Sequence, residues 1–331
     1  MTIACVNTAP LRIGIVGCGG MGSTHARAYQ TDARALVAAC ADSDESRAQN
    51  LAASLNATAY SDAEAMMREQ DLHAVSICTP PNSHERFALA AFEHGLHVFC
   101  EKPLALSAEQ AARMVDAARS AGRLLMTAFC HRFHPTVMAA KRLLDSGRLG
   151  RILMWRNRFA GKINMAGRWF SDTAMSGGGT IIDTSVHSID LFRFMVGEPV
   201  SVSARAATLG EDMPVEDTSA LLLQTEKGSI GVIEACWTSP HSPNVIETYG
   251  SNGVAIVDYA SDTARYRIGA MKRWTTAKSS GPDRFTAEIR HFIDCVLGES
   301  EPLVTGEDGL KAARIIDAAY ESVRQKCWVG V

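Results

Sequence analysis

Three spaced glycines between an apolar run and a helical run constrain this chain more than any other feature. The apolar run at 11–17 is predicted to be a strand, and a helix is predicted to begin near Met21. Short apolar runs and helical segments continue to alternate, with further predicted strands at 35–42, 73–79, 96–101 and 124–129. This alternation is typical of an α/β fold with a parallel sheet. Because the strands are continuously apolar, we expect the sheet to be covered on both faces.

The glycine turn reads GCGGMG at 17–22 and matches the pattern G-x-G-x-x-G. The pattern is weak alone, but its place between a strand and a helix indicates a dinucleotide-binding turn. Gly17 permits the tight turn, Gly19 lets the backbone approach a pyrophosphate, and Gly22 allows close helix–strand packing. We expect Gly17, Gly19, Gly20 and Met21 to contact the dinucleotide, whose phosphates the helix N-terminus would stabilise.

Asp42 ends the second predicted strand, about 20 residues after the last glycine, where an acid can bond both ribose hydroxyls of an adenosine. A carboxylate there repels a 2′-phosphate, and Ser43 rather than an arginine follows it. The sequence therefore favours NAD over NADP as the cofactor. A plain strand-end or capping aspartate would give the same pattern.

The loop CTPPNSH at 78–84 follows the strand predicted at 73–79. Ligands of doubly wound sheets bind at the carboxyl ends of the strands. We therefore expect Thr79, Asn82 and His84 to touch the cofactor, with ordinary turn chemistry as the alternative.

The sequence Glu101-Lys102-Pro103 follows the next apolar strand. Proline keeps the preceding residue out of the helical region, so the turn is pinned with Glu101 and Lys102 beside the expected cofactor. A lysine there can bond a substrate oxygen, and partial burial would lower its pKa toward a catalytically useful range. A solvated lysine in a turn is the alternative.

The character of the chain changes beyond the alternating region. The length of 331 residues suggests two domains, and we predict a Rossmann domain at 1–130 and an α+β domain at 131–331. Closely spaced strand-like runs between 151 and 275 predict a large open, mostly antiparallel sheet. Helices are predicted at 283–297 and 306–325, and the last helix is expected to pack back on the first domain.

The segment SGGGTIIDTSVHSIDLF at 176–192 carries an acid, a histidine and a second acid after three glycines. On a helix over 183–196, Asp183, His187 and Asp190 fall on one flank. The neighbouring, inward-facing stripe consists of Ile182, Val186, Ile189 and Val196. Asp190 either orients His187 or bonds nearby backbone. A satisfied core histidine is the plain alternative for His187, and a metal site lacks a third ligand, so we expect no metal.

Taken together, these motifs resemble the Gfo/Idh/MocA oxidoreductases (glucose–fructose oxidoreductase, inositol dehydrogenase, rhizopine catabolism). The resemblance covers nearly the whole chain and rests on the glycine turn, ADSDESRA, TPPNSH, EKP, HRFHP, SGGGTIIDTSVH and GEDGLKAARIIDAAYES. It implies an NAD(P)-binding domain, a substrate domain whose sheet often forms a homodimer or homotetramer interface, and a sugar or polyol substrate. It assigns the catalytic roles to Lys102, Asp183 and His187. Ser185 and Cys130 depart from the family's usual glycine and asparagine.

These expectations define a mechanism of hydride transfer between nicotinamide and a hydroxyl or carbonyl carbon of a sugar, cyclitol or related polyol. His187 would act as general base, Lys102 would stabilise charge on the oxygen, and Asp183 would orient the sugar. The predicted substrate contacts are Arg132, His134 and Trp169, for which structural packing at the domain junction is the alternative. An NAD-dependent glycoside-cleaving enzyme that makes a transient keto-sugar is the alternative, and a non-catalytic NAD-dependent sensor is a third reading.

Composition excludes other classes of function. The net charge is −3 and no long basic run occurs, which gives a nucleic-acid partner little support. No apolar stretch reaches membrane-spanning length and no leader is recognisable, so we expect a cytoplasmic protein without a membrane partner. The nine cysteines contain no CxxC pair, which favours reduced thiols.

Overall fold

The computed structural model describes residues 9–210 and 212–331, which form one sheet of six strands and one of nine. The first eight residues of the predicted N-terminal domain lie outside this description. The boundary predicted near residue 130 falls in a short 3₁₀ turn, Cys130–Phe133, between the last strand of the first sheet and the first strand of the second.

The first half confirms the predicted Rossmann fold. Its strands are β1 Leu11–Val16, β2 Ala35–Ala41, β3 Thr58–Tyr60, β4 Ala74–Ile77, β5 His97–Cys100 and β6 Leu125–Thr127. Its helices are α1 Gly20–Tyr29, α2 Glu45–Leu55, α3 Ala63–Glu69, α4 His84–Glu93 and α5 Ala108–Ala121. All strand pairs are parallel, in the order β3-β2-β1-β4-β5-β6. Every residue of β4 and β6 is buried, as continuously apolar strands require.

Side-chain caps set several helix boundaries of this half. Asp62 accepts a hydrogen bond from the Glu64 N–H and begins α3. The Ser107 hydroxyl accepts from the Gln110 N–H at 3.3 Å and begins α5. The Gln110 side chain, however, accepts from the Leu106 N–H rather than the Ser107 N–H, so the capping box is incomplete.

The second half confirms the predicted α+β architecture. Its helices are α6 Pro135–Asp145, α7 Thr173–Ser176, α8 Thr180–Asp183, α9 Ser185–Met195, α10 Arg284–Val296 and α11 Gly306–Gln325. Its strands are β7 Ile152–Ala160, β8 Pro199–Ala207, β9 Thr218–Thr225, β10 Ile230–Cys236, β11 Val245–Gly250, β12 Gly253–Asp258, β13 Thr263–Ile268, β14 Thr275–Thr276 and β15 Val329–Gly330. The order is β14-β13-β12-β11-β7-β10-β9-β8-β15. The pair β7–β10 is parallel and the others are antiparallel.

One face of the second sheet is packed against helices and the other is open. Along β9, Leu221 and Leu223 are buried, whereas Ala220 and Leu222 lie on the exposed face. Helices α9 and α11 pack on the buried face. This pattern is typical of an antiparallel sheet with one solvated side.

Helix α11 lies against both halves of the molecule. The Asp317 carboxylate accepts a hydrogen bond from the Ala108 N–H at the start of α5, at 2.9 Å. The Thr127 hydroxyl at the end of β6 donates to the carbonyl oxygen of Thr305, at 3.2 Å. Gly309 packs so closely that an added Cβ would lie 2.4 Å from Thr127 Oγ1. The last long helix therefore ties the second sheet to the first.

A break at Thr184 divides the segment that the sequence predicted as a single helix. α8 ends one residue before it and α9 begins one residue after it. The predicted inward-facing stripe is buried except at its last member, Val196, which caps α9 and is half-buried.

The start of α8 is fixed by Glu216. Its carboxylate accepts from the N–H groups of Gly179 and Ile181, at 3.0 and 2.9 Å, and from the Tyr320 hydroxyl. An added Cβ at Gly179 would lie 1.8 Å from the Glu216 carbonyl oxygen. Only glycine permits this approach, and the approach sets where α8 delivers its last residue.

Within the described chain, no helix is both long and apolar enough to cross a membrane. The eight cysteines among the described residues are free thiols.

We expect Gly179→Ala to lower the free energy of unfolding by about 1–3 kcal/mol, because the new methyl group collides with backbone that cannot rotate away. The midpoint of urea denaturation measures this effect. Gly161→Ala is the matched control, since a Cβ there would contact only Ile163, at 3.9 Å. Equal midpoints for the two variants would contradict the steric requirement for glycine at position 179.

Candidate active site

The glycine turn between β1 and α1 is an open cradle. Gly17 has a φ of 92°, and an added Cβ there would lie 2.8 Å from the backbone of Thr79. At Gly22 the added Cβ would lie 2.0 Å from the Gly17 carbonyl oxygen. At Gly19 and Gly20 an added Cβ would meet nothing within 4 Å, and no side chain caps α1. The turn is therefore closed on its protein side and open where a diphosphate would lie, so its geometry fits a dinucleotide.

Asp42 fixes this turn from the end of β2. Its carboxylate accepts from the Cys18 N–H at 2.7 Å and from the Asp44 N–H at 2.9 Å. Each carboxylate oxygen keeps a further lone pair, so ribose hydroxyls remain compatible with this position. The predicted contact of Met21 and Asp42 with the cofactor stays a prediction.

The loop after β4 gives its predicted cofactor ligands different surroundings. Asn82 is exposed, and Thr79 accepts a hydrogen bond from the Ser83 hydroxyl. His84 is fully buried, with its ring nitrogens 3.0 Å from the Pro103 carbonyl oxygen and 2.8 Å from that of Thr79. Burial lowers the pKa of His84. Its ring bonds the backbone of two loops, and its contact with the cofactor stays a prediction.

Glu101 is also committed to the protein interior. Its carboxylate lies 3.0 Å from His25 Nε2 and accepts from the Lys102 N–H at 3.1 Å. Burial alone would raise the pKa of Glu101, but the hydrogen bond and charge of His25 outweigh it and hold that pKa below its usual value. Glu101 therefore positions the backbone of Lys102, and its contact with the cofactor stays a prediction.

Sequence reasoning missed His25, whose ring joins α1 to the EKP turn. Its Nδ1 lies 3.1 Å from the Ser76 hydroxyl, which in turn lies 3.2 Å from the Tyr29 hydroxyl. The side chain is buried against Phe99, with ring centroids 5.1 Å apart. A histidine one turn after the glycine motif was the available signal, but its partner is 76 residues away.

Lys102 and Asp183 form an ion pair between the two halves. Lys102 Nζ donates to Asp183 Oδ1 at 2.8 Å and to the Asp183 carbonyl oxygen at 3.0 Å. Burial would lower the pKa of Lys102, but Asp183 and Glu101 outweigh it and raise that pKa. The expected fall in pKa is therefore wrong, and Lys102 is a cation able to donate hydrogen bonds rather than a base.

Thr184 holds the carboxylate of this pair in place. Its hydroxyl lies 3.2 Å from Asp183 Oδ2 and accepts from Trp237 Nε1 at 2.8 Å. Trp237 directly follows β10 of the second sheet and is fully buried. The helix break at Thr184 thus serves to fix Asp183, and Trp237 was not recognised from the sequence.

His187 lies one turn after Asp183 and is half-buried. Its Nδ1 is buried without a hydrogen-bond partner among the described residues, and its ring centroid lies 4.6 Å from that of His131. Burial first, then the charges of His131, Lys102 and Arg284, lower the pKa of His187 well below 6.5. The imidazole is therefore neutral near pH 7 and able to accept a proton.

An aromatic cluster continues from His187 through the second half. His131 Nδ1 lies 2.9 Å from the Tyr259 hydroxyl. His134 packs on Tyr259 with ring centroids 4.9 Å apart, and its Nδ1 lies 2.8 Å from the Thr136 hydroxyl. His134, predicted as a substrate contact, thus lies in the cluster that reaches His187. His131 and Tyr259 were missed.

Arg132 does not face this cluster. Its guanidinium is buried and donates to Asp190 Oδ2 at 2.9 Å, to Asp308 Oδ1 at 2.9 Å and to the Leu303 carbonyl oxygen. These partners favour the alternative of packing at the domain junction, and the contact of Arg132 with substrate stays a prediction. Asp190 accepts hydrogen bonds from Arg132, and none from His187 or from nearby backbone is found among the described residues.

Trp169 lies in the 3₁₀ turn Trp169–Ser171 and stacks on Phe170, with ring centroids 3.6 Å apart. It is half-buried. No described contact joins it to Lys102 or His187, and its contact with substrate stays a prediction.

Three possible metal ligands come together at this site. The ligand atoms of Cys130, His131 and His187 lie within 4.8 Å of one another. This is the third convergent ligand that the sequence could not assign. Burial raises the pKa of Cys130, however, and disfavours the thiolate that zinc requires. His131 also already bonds Tyr259, so proton transfer at His187 suits these residues better.

Comparison with known proteins identifies the class. The family described as "Oxidoreductase family, NAD-binding Rossmann fold" matches residues 11–129, and the "GFO/IDH/MocA C-terminal domain" matches residues 137–256. The fold and the site together are those of an NAD-binding oxidoreductase. The chain belongs to the Gfo/Idh/MocA family, as its motifs indicated.

Relatives and solved structures are similar over nearly the full length. Inositol 2-dehydrogenase 2 of Saccharopolyspora erythraea is 33% identical, over 95% of this chain and 93% of that protein. D-xylose 1-dehydrogenase (NADP(+)) 2 of Haloferax volcanii is 30% identical, over 94% and 97%. Levoglucosan dehydrogenase in complex with NADH and levoglucosan superposes with a TM-score of 0.91 at 25% identity, over 97% of this chain and 99% of that chain. These homologues are NAD(P)-dependent dehydrogenases acting on sugar and cyclitol CH–OH groups.

We expect Lys102→Ala to lower kcat by about 10²–10³-fold, because it removes one charged donor from the reacting oxygen. The dissociation constant for NAD, measured by fluorescence titration, should change little. Lys227→Ala removes an exposed lysine of the turn between β9 and β10 and is the control. Retention of kcat in Lys102→Ala would contradict the assignment.

The pH dependence of kcat/KM tests His187. Because its pKa is depressed, kcat/KM should stay level as the pH falls through 6.5 and decline only at lower pH, as the ring takes up a proton. His187→Ala should lower kcat/KM and abolish this acidic limb, whereas His94→Ala, at an exposed position, should keep it. An unchanged limb in His187→Ala would refute its role as the base.

Proposed function

We propose that the protein is an NAD-dependent dehydrogenase that transfers a hydride between nicotinamide and a hydroxyl or carbonyl carbon of a sugar, cyclitol or related polyol. The observation that carries the proposal is the Lys102–Asp183 ion pair beside the neutral imidazole of His187. A cationic donor, a carboxylate and a free base close together are the groups that oxidation of an alcohol requires.

The bound nicotinamide supplies the hydride acceptor at C4. Lys102 donates a hydrogen bond to the substrate oxygen and stabilises the negative charge that develops there. His187 accepts the hydroxyl proton while the carbinol hydride leaves with its electron pair, so charge and protons balance. Asp183 keeps Lys102 charged and would accept a hydrogen bond from a neighbouring hydroxyl of the substrate. In the reverse direction, protonated His187 returns the proton to the carbonyl oxygen.

The residues that would hold the cofactor are Gly19, Gly20 and Met21 at the diphosphate and Asp42 at the adenosine ribose. Asp42 supports NAD over NADP, because an anion at that position repels a 2′-phosphate. One relative is named for NADP(+), so the choice between NAD and NADP differs within the family and has to be measured for this protein.

A homodimer or homotetramer through the second sheet belongs to the proposal. The open face of that sheet exposes large apolar side chains on adjacent strands, with Met154 43% exposed, Leu222 41% and Ile230 40%. A second copy that covers this face would remove them from water. Sedimentation equilibrium tests the assembly, and a monomer at micromolar concentration would contradict it.

A panel of sugars and inositols, followed by NADH absorbance, tests the function directly. We expect NADH formation with at least one polyol and none with Lys102→Ala. Release of free phenol from an aryl glycoside with only catalytic NAD would instead establish the glycoside-cleaving alternative. Tight NAD binding without turnover of any polyol would establish a sensor.

Asp42→Ser tests the cofactor preference. We expect the ratio of kcat/KM for NAD to that for NADP to fall by about tenfold or more, because the repulsion of the 2′-phosphate is lost. Asp44→Ser is the matched control, since it removes the same charge two residues later and keeps a side-chain oxygen to cap α2. An unchanged ratio in Asp42→Ser would show that Asp42 does not bind the ribose.

A further inference from the structure

Arg284, the first residue of α10, has a guanidinium without an anionic partner. No ion pair or hydrogen bond joins it to any residue that the structure describes, and its Nε is buried. Its one side-chain contact of note is with the ring of Phe285, whose centroid lies 4.8 Å from the guanidinium carbon. A cation partly withdrawn from water without a counter-charge is costly to keep.

Two buried arginines of the second half, Arg132 and Arg193, have carboxylate partners. Arg132 is paired with Asp190 and Asp308, and Arg193 donates to Glu198 at 2.8 Å and to Asp308 at 3.2 Å. Carboxylates thus neutralise the two guanidinium groups that stabilise the fold. Arg284 has no such carboxylate partner among the described residues.

Helix α10 carries a carboxylate near Arg284 in sequence, but the two side chains form no ion pair. Glu288 lies one turn later, at the spacing that favours an ion pair, yet no ion pair forms and Glu288 Oε1 is itself buried without a partner. Burial, together with the charges of Glu101 and Asp190, raises the pKa of Glu288 well above its usual value, although Arg284 opposes this. Glu288 therefore does not pair with Arg284, and the guanidinium has no carboxylate partner on its own helix.

The chain that leads into α10 lies near His134 of the aromatic cluster, because a Cβ added at Gly281 would lie 3.7 Å from the ring of Pro135. Helix α10 packs on the turn Cys130–Phe133, with the ring of His291 5.3 Å from that of Phe133. From its first turn the charge of Arg284 lowers the pKa of His131, His134 and His187, after burial. The histidine rings of the cluster carry no negative charge that could pair with the guanidinium. The carboxylate of Asp183 is already paired with Lys102.

We propose that Arg284 binds an anionic group of the substrate, so that the preferred substrates are sugars or polyols that carry a carboxylate or a phosphate. The inference rests on the proposed dehydrogenase function and narrows its substrate class. Two parallel donors of a guanidinium match either oxyanion. The diphosphate of the dinucleotide has its own cradle at Gly19 and Gly20 and does not need Arg284.

Binding to the enzyme–NADH complex tests this inference without requiring turnover. NADH fluorescence would be titrated with matched pairs, D-galacturonate against D-galactose and D-glucose 6-phosphate against D-glucose. We expect at least one anion to bind tenfold or more tightly than its neutral partner, and Arg284→Gln to weaken that anion by about 10–100-fold while leaving the neutral sugar within about threefold. Arg284→Lys should retain part of the preference.

Arg290→Gln is the matched control, because Arg290 lies on the same helix and its one hydrogen bond to a described residue goes to the Thr31 carbonyl oxygen. It should keep the full preference. Equal binding of neutral and anionic ligands, or equal loss of both in Arg284→Gln, would overturn the inference. A loss of NADH affinity in Arg284→Gln would overturn it too, by assigning the residue to the cofactor. NADH formation, followed separately, shows whether the dehydrogenase function itself fails.

Discussion

The ion pair between Lys102 and Asp183 is the interaction on which the rest of the structure depends. It joins the end of a strand in the first sheet to the end of a short helix above the second, and its geometry exists only if both halves are correctly docked. Each partner is held from behind. His25 and Glu101 position the backbone of Lys102, and Thr184 positions the carboxylate of Asp183.

The surroundings of each group explain how a cation (Lys102), a carboxylate (Asp183) and a base (His187) are present in the same site. Asp183 keeps Lys102 protonated despite burial, whereas burial keeps His187 neutral. The two groups therefore hold the opposite protonation states that alcohol oxidation needs: a charged donor and an uncharged acceptor. A second buried cluster, built on Arg132, Asp190 and Asp308, is fully compensated and supports the helix that carries His187. Arg284 is the exception, because no ion pair or hydrogen bond joins it to a residue that the structure describes.

Local sequence signals predicted the elements well and their long-range partners poorly. The turn at Gly17–Gly22 was predictable because its steric needs are met within a few residues, and the long helices at the C-terminus carried strong periodicity. The carboxylate partners of Arg132 could not be predicted, because they lie 58 and 176 residues away. His84 and Glu101 were assigned to the cofactor because strand ends point at ligands on average, yet both are bonded inward. His25, Tyr259 and Arg284 join the site only through tertiary packing, which no spacing in the sequence encodes.

The most direct measurement is a crystal structure of the protein with NADH and a polyol. The account predicts that nicotinamide C4 lies about 3–3.5 Å from one carbon of the polyol, with Lys102 Nζ and the His187 ring both within hydrogen-bond distance of the oxygen on that carbon. A nicotinamide ring bound outside the cleft, or a polyol oxygen reached by neither residue, would contradict it.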